Sequence, residues 1–324
     1  MKAIWIEETG GPEVLLVRDI ERPAPGPGEA LVRMHAAGLN FADIYMRRGF
    51  YIKPKPFVAG MEGAGVIEAI NDTGDTGLKV GDRVAYTGAL GTCAEYTVLD
   101  AAHLIPLPDE LSFEQGAAFP LQGMTAHFLL HDFYPVGKGT TVLMHAAAGG
   151  VGLLTVQWAK HLGARVFGTV STEEKAQTAR RAGADEVILY TQTDFVEEVK
   201  RLTDGKGVEY IIDGVGKSTF KNNLNAVANR GHICAYGSAS GPAESVRPLA
   251  LMERALTISG GVLWEFIKDG KEMLVRAKAV TDGLREGWLK LNISKVLPLE
   301  QIAEAHRLLE GRQTTGKVVL KIRD

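Results

Sequence analysis

Cysteine is scarce in this chain: two in 324 residues, Cys93 and Cys234, far apart. Two distant thiols make neither a disulfide framework nor a cysteine-rich zinc knuckle, and they suit a reducing compartment. Both read as small buried hydrophobes. Long apolar runs are also missing; none approaches the roughly 18 residues of a membrane span. The opening "MKAIWIEETGGPEVLL" has early acids and no apolar core, so it reads as a first strand and turn, not a signal peptide. Positive charge is not in excess. Lys and Arg number 36 against 39 Asp and Glu, a formal charge of −3, which leaves no broad basic field for nucleic acid. Eight histidines are present, and no Cys/His set has metal-ligand spacing. No repeat or low-complexity segment is visible. The remaining expectation is a cytoplasmic globular protein, with 45% hydrophobic and 23% charged residues and a length suited to two domains.

Glycine, in contrast, is plentiful at 38 residues, and it punctuates two different textures. The first ~120 residues hold short strand-like runs between Gly and Pro turns. "EALVRMHAAGL", "GAGVIEAI", "DRVAYT" and "AEYTVLD" are examples, and "ERPAPGPGE" is a connector. This predicts a compact, mostly antiparallel β domain. From about Leu121 strand-like and helix-like runs alternate: "TTVLMHA", then a helix from about Gly150 to Leu162; "ARVFGTV", then "TEEKAQTARRAG". "DEVILY" and "VEYIIDG" continue the series and "GHICAYG" closes it. Such alternation predicts an α/β unit with a parallel sheet and crossover helices. After about Gly261, two helical stretches lead to a final strand-like "GKVVLKI" that is expected to return to the first domain.

"AAAGGVG" (146–152) lies between the first strand and first helix of that series. On the G-x-G-x-x-G template its three glycine places are taken by Ala147, Gly149 and Gly152. Small residues there let the chain turn, let backbone approach a pyrophosphate, and let helix pack on strand. The bare backbone of Gly149, Gly150, Val151 and Gly152 opens a helix whose N-terminus favours an anion. An isolated glycine-rich turn is often only a tight turn; the strand before, the helix after and the following strand–helix units supply the required context. An acid at the end of the second strand would bind a ribose 2′-hydroxyl. Here that strand ends "FGTVSTEEK", with Val170 and Ser171 in the acid's place. Ser171 can bond a phosphate oxygen, and Lys175, one turn further, can supply charge. The turn is therefore expected to take NADPH. Lys175 could equally be a solvated surface lysine, and Glu173 and Glu174 must point away.

"GLNFADIYMRRGFY" (38–51), "FVAGMEGAGVI" (57–67), "VGDRVAY" (80–86) and "AAAGGVG", in this order, resemble the medium-chain dehydrogenase/reductase superfamily, and within it the zinc-free NADPH:quinone oxidoreductases related to zeta-crystallin. The resemblance covers essentially the whole chain. It implies a GroES-like catalytic domain (1–122 and 264–324), a Rossmann doubly wound parallel-sheet domain (123–263), an active site in the cleft between them, and a homodimer. In metal-dependent relatives Cys, His and Cys hold the catalytic zinc; Asn40, Met61 and Gln122 stand at those positions here. Two amides and a thioether do not replace thiolate and imidazole for Zn²⁺. The four close cysteines of the structural zinc are also missing, since only Cys93 lies between Arg83 and Tyr96. Without a Lewis acid, the substrate should be an acceptor already electron-poor, a quinone or an activated alkene.

By the same resemblance, Asn40 and Tyr45 face the nicotinamide. Asn40 could bond the ribose or a substrate oxygen, and Tyr45 could stack on a flat acceptor or bond its carbonyl. Thr125 matches a threonine near the nicotinamide, Tyr190 lies beside the adenosine phosphate, and Gly237 and Ser238 sit close to the nicotinamide half. Arg312 matches a cofactor arginine. The plainer readings are a turn Asn, a half-buried Tyr, a helix-start hydroxyl at Thr125 and a helix-capping Arg312. Glu62 reads as a brace for its loop. His35, His127 and His145 read as packed or locally satisfied. The expectation is an NADPH-dependent quinone reductase with a small-molecule acceptor and no metal. An enoyl or acrylate-type C=C reductase is the alternative, and a non-catalytic NADPH-binding or nucleic-acid-binding protein a third reading. Homodimer pairing is expected through "RALTISGGV" (254–262) at a sheet edge.

Overall fold

The computed structural model describes residues 1–51, 54–71 and 76–323. The chain forms two compact units. One comprises Met1–Met124, Ile267–Thr281 and Leu291–Asp324; the other comprises Thr125–Phe266 and Asp282–Lys290. In chain order the elements begin with strands Lys2–Ile6 (β1), Leu16–Asp19 (β2) and Glu29–Leu39 (β3), then helix Phe41–Arg48 (α1). Strands Phe57–Val58 (β4), Glu62–Ile70 (β5), Arg83–Thr87 (β6), Tyr96–Asp100 (β7) and Ile105–Pro106 (β8) follow. Next come helices Phe113–Gly116 (α2) and Pro120–His131 (α3). Thr141–His145 (β9), Gly150–His161 (α4), Arg165–Val170 (β10), Glu173–Arg181 (α5) and Glu186–Leu189 (β11) open the second unit's alternation. It continues through Phe195–Leu202 (α6), Val208–Asp213 (β12), Phe220–Ala226 (α7), Val227–Ala235 (β13), Pro248–Met252 (α8) and Thr257–Gly260 (β14). Leu263–Phe266 (α9), Gly270–Glu286 (α10), Ile293–Pro298 (β15), Ile302–Glu310 (α11) and Lys317–Lys321 (β16) follow, the last three in the first unit.

Among the described residues, the second unit holds one six-stranded sheet in the order β11-β10-β9-β12-β13-β14. Every neighbour in it is parallel. Its strands are apolar almost throughout, as a sheet covered on both faces requires. Leu143, Phe167, Ile211 and Ile233 are fully buried in its core. Each such side chain contributes roughly 1.5–3 kcal/mol of burial. The order runs outward in both directions from β9, so the chain's direction of winding reverses there. Ligands bind at the carboxyl ends of strands at such a point.

The first unit's main sheet runs β15-β16-β3-β5-β6-β8, with β7 also on β3. Its pairs are antiparallel except β15 with β16. A second sheet, β2-β1-β4, adds three strands. The register of β16 matters for function: Val318 pairs with Leu39 and Leu320 with Ala37. That register brings Lys317, the first residue of β16, to the end of β3, where Asn40 caps α1. Asp282–Lys290 groups with the second unit because Trp288 packs there, its ring 5.3 Å from Trp158 and stacked 4.0 Å from His161. Among the described residues no helix is long and apolar enough to cross a membrane.

Candidate active site

After β9 the chain turns at Ala146, which takes the left-handed backbone conformation at φ 52°. Gly149 N donates to Ala146 O at 2.8 Å and closes the turn. Gly149 then caps α4 and brings no side chain to the first amides of that helix. Glycine is required at 152: a Cβ there would lie 2.3 Å from Ala146 O and 2.9 Å from Ala147 Cα. A Cβ on Gly149 would stand 3.1 Å from the same carbonyl. Ala147 is accommodated by a second glycine. A Cβ on Gly168 of β10 would sit 2.7 Å from Ala147 Cβ, so the methyl group fills space that β10 leaves open. The departure from G-x-G-x-x-G is thus compensated on the neighbouring strand. Gly150 and Val151 lie half-buried on the first turn of α4. This cradle of bare backbone and helix N-terminus fits a pyrophosphate.

A buried network lies at the ends of these strands. His145 Nδ1 is 2.9 Å from Thr169 Oγ1, and its Nε2 is 2.7 Å from Asn223 Oδ1. Asn223 Nδ2 donates to Asp213 Oδ2 at 2.6 Å. The Asp213 carboxylate also accepts from Val215 N, Gly216 N and Thr219 Oγ1. Because the amide oxygen only accepts, Nε2 carries the imidazole proton and Nδ1 accepts from the threonine. Burial lowers the His145 pKa and keeps the ring neutral. The network ties the ends of β9, β10 and β12 together.

At the end of β10, Thr172 caps α5 by accepting from Lys175 N at 3.3 Å. Ser171 O accepts from Thr191 Oγ1 at 3.0 Å, which ties the β10 end to residues just past β11. Tyr190 stands beside it, 42% exposed. Arg180 draws the Glu173 carboxylate along the helix at 2.6 Å. Lys175 is half-buried. Beyond β13, Gly237 and Ser238 pack on the turn after β12: a Cβ on Gly237 would lie 2.9 Å from Gly214 O, and Ala239 N donates to that carbonyl at 3.1 Å. Thr125 is buried within α3 rather than at its start, because the helix already begins at Pro120. Arg312 follows α11 in the left-handed conformation, its N donating to Leu309 O at 3.1 Å.

In the first unit the side chains draw inward. Lys317 Nζ donates to Asn40 Oδ1 at 2.8 Å and to Glu62 Oε2. Asn40 Nδ2 donates to the same Glu62 oxygen at 2.7 Å. Gln122 Nε2 donates to Asn40 Oδ1 at 3.3 Å. Glu62 Oε1 accepts from Leu121 N at 2.7 Å, which places a carboxylate at the N-terminus of α3, where the helix dipole favours it. Gly38 makes room for the cluster; a Cβ there would lie 2.0 Å from Ala117 O and 2.8 Å from both Glu62 Oε2 and Lys317 Cε. Asn40 therefore spends its amide on this cluster rather than holding it out toward a ligand. Glu62 does more than brace a loop. Asp43 Oδ2 accepts from Asn40 N at 2.8 Å, while its buried Oδ1 has no hydrogen-bond partner. Burial pushes the Asp43 carboxyl up to about 7, with the Asn40 amide bond and the Lys317 charge pulling the other way.

Further along α1, Tyr45 is half-buried among aromatic rings. Phe50 lies edge-on at 5.7 Å, with Phe41 and Tyr51 each at 6.3 Å. The helix is anchored by Arg47, which is fully buried and bonds Gly10 O, His306 Nδ1 and Glu310 Oε1. The other histidines named from sequence are packed: His35 stacks on Phe113 at 4.1 Å, and His127 lies 5.4 Å from Trp158. Both cysteines are free and buried. Lys317, Asp43 and the His145–Asn223–Asp213 network were missed by sequence reasoning. A lysine opening an apolar strand looks like any strand boundary.

Two family models match the chain: the alcohol dehydrogenase GroES-like domain over residues 26–109 and the zinc-binding dehydrogenase model over 150–278. A quinone oxidoreductase of Pseudomonas aeruginosa is 42% identical over 322 residues, covering 98% of this chain and 99% of that protein. A 2-haloacrylate reductase of Burkholderia is 39% identical, covering 98% of each. The crystal structure of Escherichia coli quinone oxidoreductase complexed with NADPH superposes with a TM-score of 0.96 at 36% identity, over 99% of this chain and all of that one. A GroES-like unit and a Rossmann parallel sheet on one chain define the medium-chain dehydrogenase/reductase class. Within it, the chain belongs to the quinone oxidoreductase family.

One of the matching models is named for zinc, and the residues here do not fit that metal. Asn40 and Gln122 bond each other and a lysine, Met61 offers only a thioether, and among the described residues no three His, Cys, Asp or Glu side chains gather into a metal site.

Proposed function

We propose that the chain is an NADPH-dependent reductase of quinones and quinone-like electrophiles that works without a metal. The observation that carries this reading is the open cradle at the start of α4, beside a second strand that ends without an acid. NADPH, when bound, supplies a hydride. In this reading the amides of Gly149, Gly150, Val151 and Gly152 bind the pyrophosphate, and Ala147 packs beneath it. Ser171, Lys175 and Tyr190 surround the adenosine phosphate. Thr125, Gly237 and Ser238 hold the nicotinamide half, and Arg312 adds charge near the cofactor. Tyr45 stacks on the acceptor and bonds its carbonyl oxygen, while Asn40 orients the start of the helix that carries it.

A second reading, reduction of an activated C=C bond on the same scaffold, is favoured by the 39% identity to a 2-haloacrylate reductase. NADPH oxidation against ortho- and para-quinones, 2-haloacrylates and α,β-unsaturated carbonyls, with NADH in parallel, separates the two. Turnover with alkenes alone would replace the first reading by the second. Tight NADPH binding without any oxidation would defeat both. The finer picture is a cytoplasmic homodimer. Its support is that β14 ends the six-stranded sheet among the described residues, and such an edge can pair with a second copy. Sedimentation at equilibrium tests the dimer.

A further inference from the structure

Two of the three positions that the family resemblance aligns with zinc ligands are drawn together here around an ammonium group. Asn40 and Gln122, at two of the three positions, bond each other at 3.3 Å, and Lys317 Nζ donates to the Asn40 oxygen at 2.8 Å. The same ammonium donates to Glu62, which also accepts from Asn40 Nδ2 and, through its other oxygen, from Leu121 N. One cation thus joins a carboxylate, an amide and, through Glu62, the first turn of α3.

The burial leaves the pair little freedom. The side chains of Lys317 and Glu62 are 2% and 0% exposed. An isolated charge at that depth is strongly unfavourable, so neither group is tolerable without the other. The backbone is built around them: Gly38 lacks the Cβ that would collide with Lys317 Cε and Glu62 Oε2. The pair also has a definite target. Asn40 is the residue before α1, and its side-chain oxygen takes two donors from this cluster. The amide orientation is therefore fixed, with oxygen toward the ammonium and nitrogen toward the carboxylate. Tyr45 sits in the same helix, five residues on.

We propose that Lys317 is a positioning residue and the chain's own cation at this place. Its ammonium fixes Asn40 and, through it, the start of α1. The part of this inference that concerns turnover rests on the proposed quinone reduction; the charge pairing does not.

Two variants test it: Lys317→Met, which keeps the length and removes the charge, and Lys317→Met/Glu62→Gln, which removes both charges. Each is read by thermal unfolding, by NADPH titration of cofactor fluorescence, and by steady-state turnover. We expect Lys317→Met to unfold well below the parent and the double variant to regain most of that loss, because no carboxylate is left unpaired. NADPH Kd should stay within twofold of the parent in both. Acceptor kcat/KM should fall at least tenfold in Lys317→Met and stay low in the double variant, since no cation orients Asn40. Recovery of kcat/KM together with the melting temperature would reduce Lys317 to a structural role and overturn the proposal. Unchanged kcat/KM in Lys317→Met, or a double variant no more stable than the single one, would also overturn it. A parent protein that turns over no acceptor would defeat the functional reading, while the unfolding comparison still decides whether the two charges depend on each other.

Discussion

At the start of α4, Gly149 offers no side chain to the first amides of the helix; at the start of α1, Asp43 reaches back to Asn40 N, and the Asn40 amide is itself held by Lys317, Glu62 and Gln122. The first start is open: bare backbone, with no side chain at the cap. The second is closed in another sense: the Asn40 side chain makes no bond to the first amides of α1 and is spent on a buried cluster with Lys317, Glu62 and Gln122. Helix termini have unsatisfied backbone groups in either case. The difference teaches that the residue before a helix can leave room at its start or tie that start to its surroundings. Glycine serves both ends: Gly152 lets α4 come close to the backbone of the turn after β9, and Gly38 lets a lysine and a glutamate come close to backbone.

The largest expected effect breaks the closed side. Gly38→Ala places a Cβ against Ala117 O, and we expect a loss of about 4 kcal/mol or more in chemical denaturation, from overpacking that backbone cannot relieve. A variant as stable as the parent would show that the cluster yields. On the open side, His145→Leu leaves the Thr169 hydroxyl and the Asn223 amide oxygen buried without the partner they share. That should cost about 3 kcal/mol by urea unfolding. NADPH affinity should fall as well, because the network ties down the strand ends that flank the cradle.

Asp43→Asn sharpens the comparison through pH. Burial pushes the Asp43 carboxyl up to about 7 in the folded chain, from 3.8 for a free aspartate, so the folded state holds more protons than the unfolded one between those values. This group therefore makes stability fall as pH rises from about 4 to about 7. With Asn at 43 that contribution disappears, and the stability of the variant relative to the parent should climb by roughly 3 kcal/mol across the window. His306, lowered to about 3 by burial and by Arg47, acts in the opposite direction below pH 6.5 in both proteins and cancels in the difference. A flat difference would mean that Asp43 is ionised throughout. The smallest effect is Lys175→Ala. It should raise the NADPH KM about tenfold, worth ~1.4 kcal/mol, and leave that for NADH nearly unchanged; equal shifts would remove Lys175 from the phosphate site.

Much of the open side was legible in the sequence. "TVLMH", "ARVFGTV" and "VEYIID" are apolar runs bounded by turns, and the structure forms parallel strands over them. "AAAGGVG" stands at the turn where the winding reverses. What could not be read was why Ala147 is harmless there, because the answer lies on Gly168 of the next strand. The closed side was far less legible. Asn40 and Lys317 are 277 residues apart, and neither spacing nor composition links them. The helix-start reading of Thr125 fails because α3 already opens at Pro120, five residues earlier.

The sequence by itself determined the alternation of strands and helices, the glycine-rich turn, the absence of an acid after the second strand and the lack of zinc-type ligands. These are local properties, written in periodicity and in residue type over a few positions. Only the tertiary structure decided which polar groups satisfy one another. The pairing of Val318 with Leu39 puts a lysine ammonium beside Asn40 and Glu62, and a shift of that register by one residue would turn Lys317 to the other face of the sheet. Hydrogen-bond partners at that depth are chosen by register and burial, and neither can be read from one segment alone.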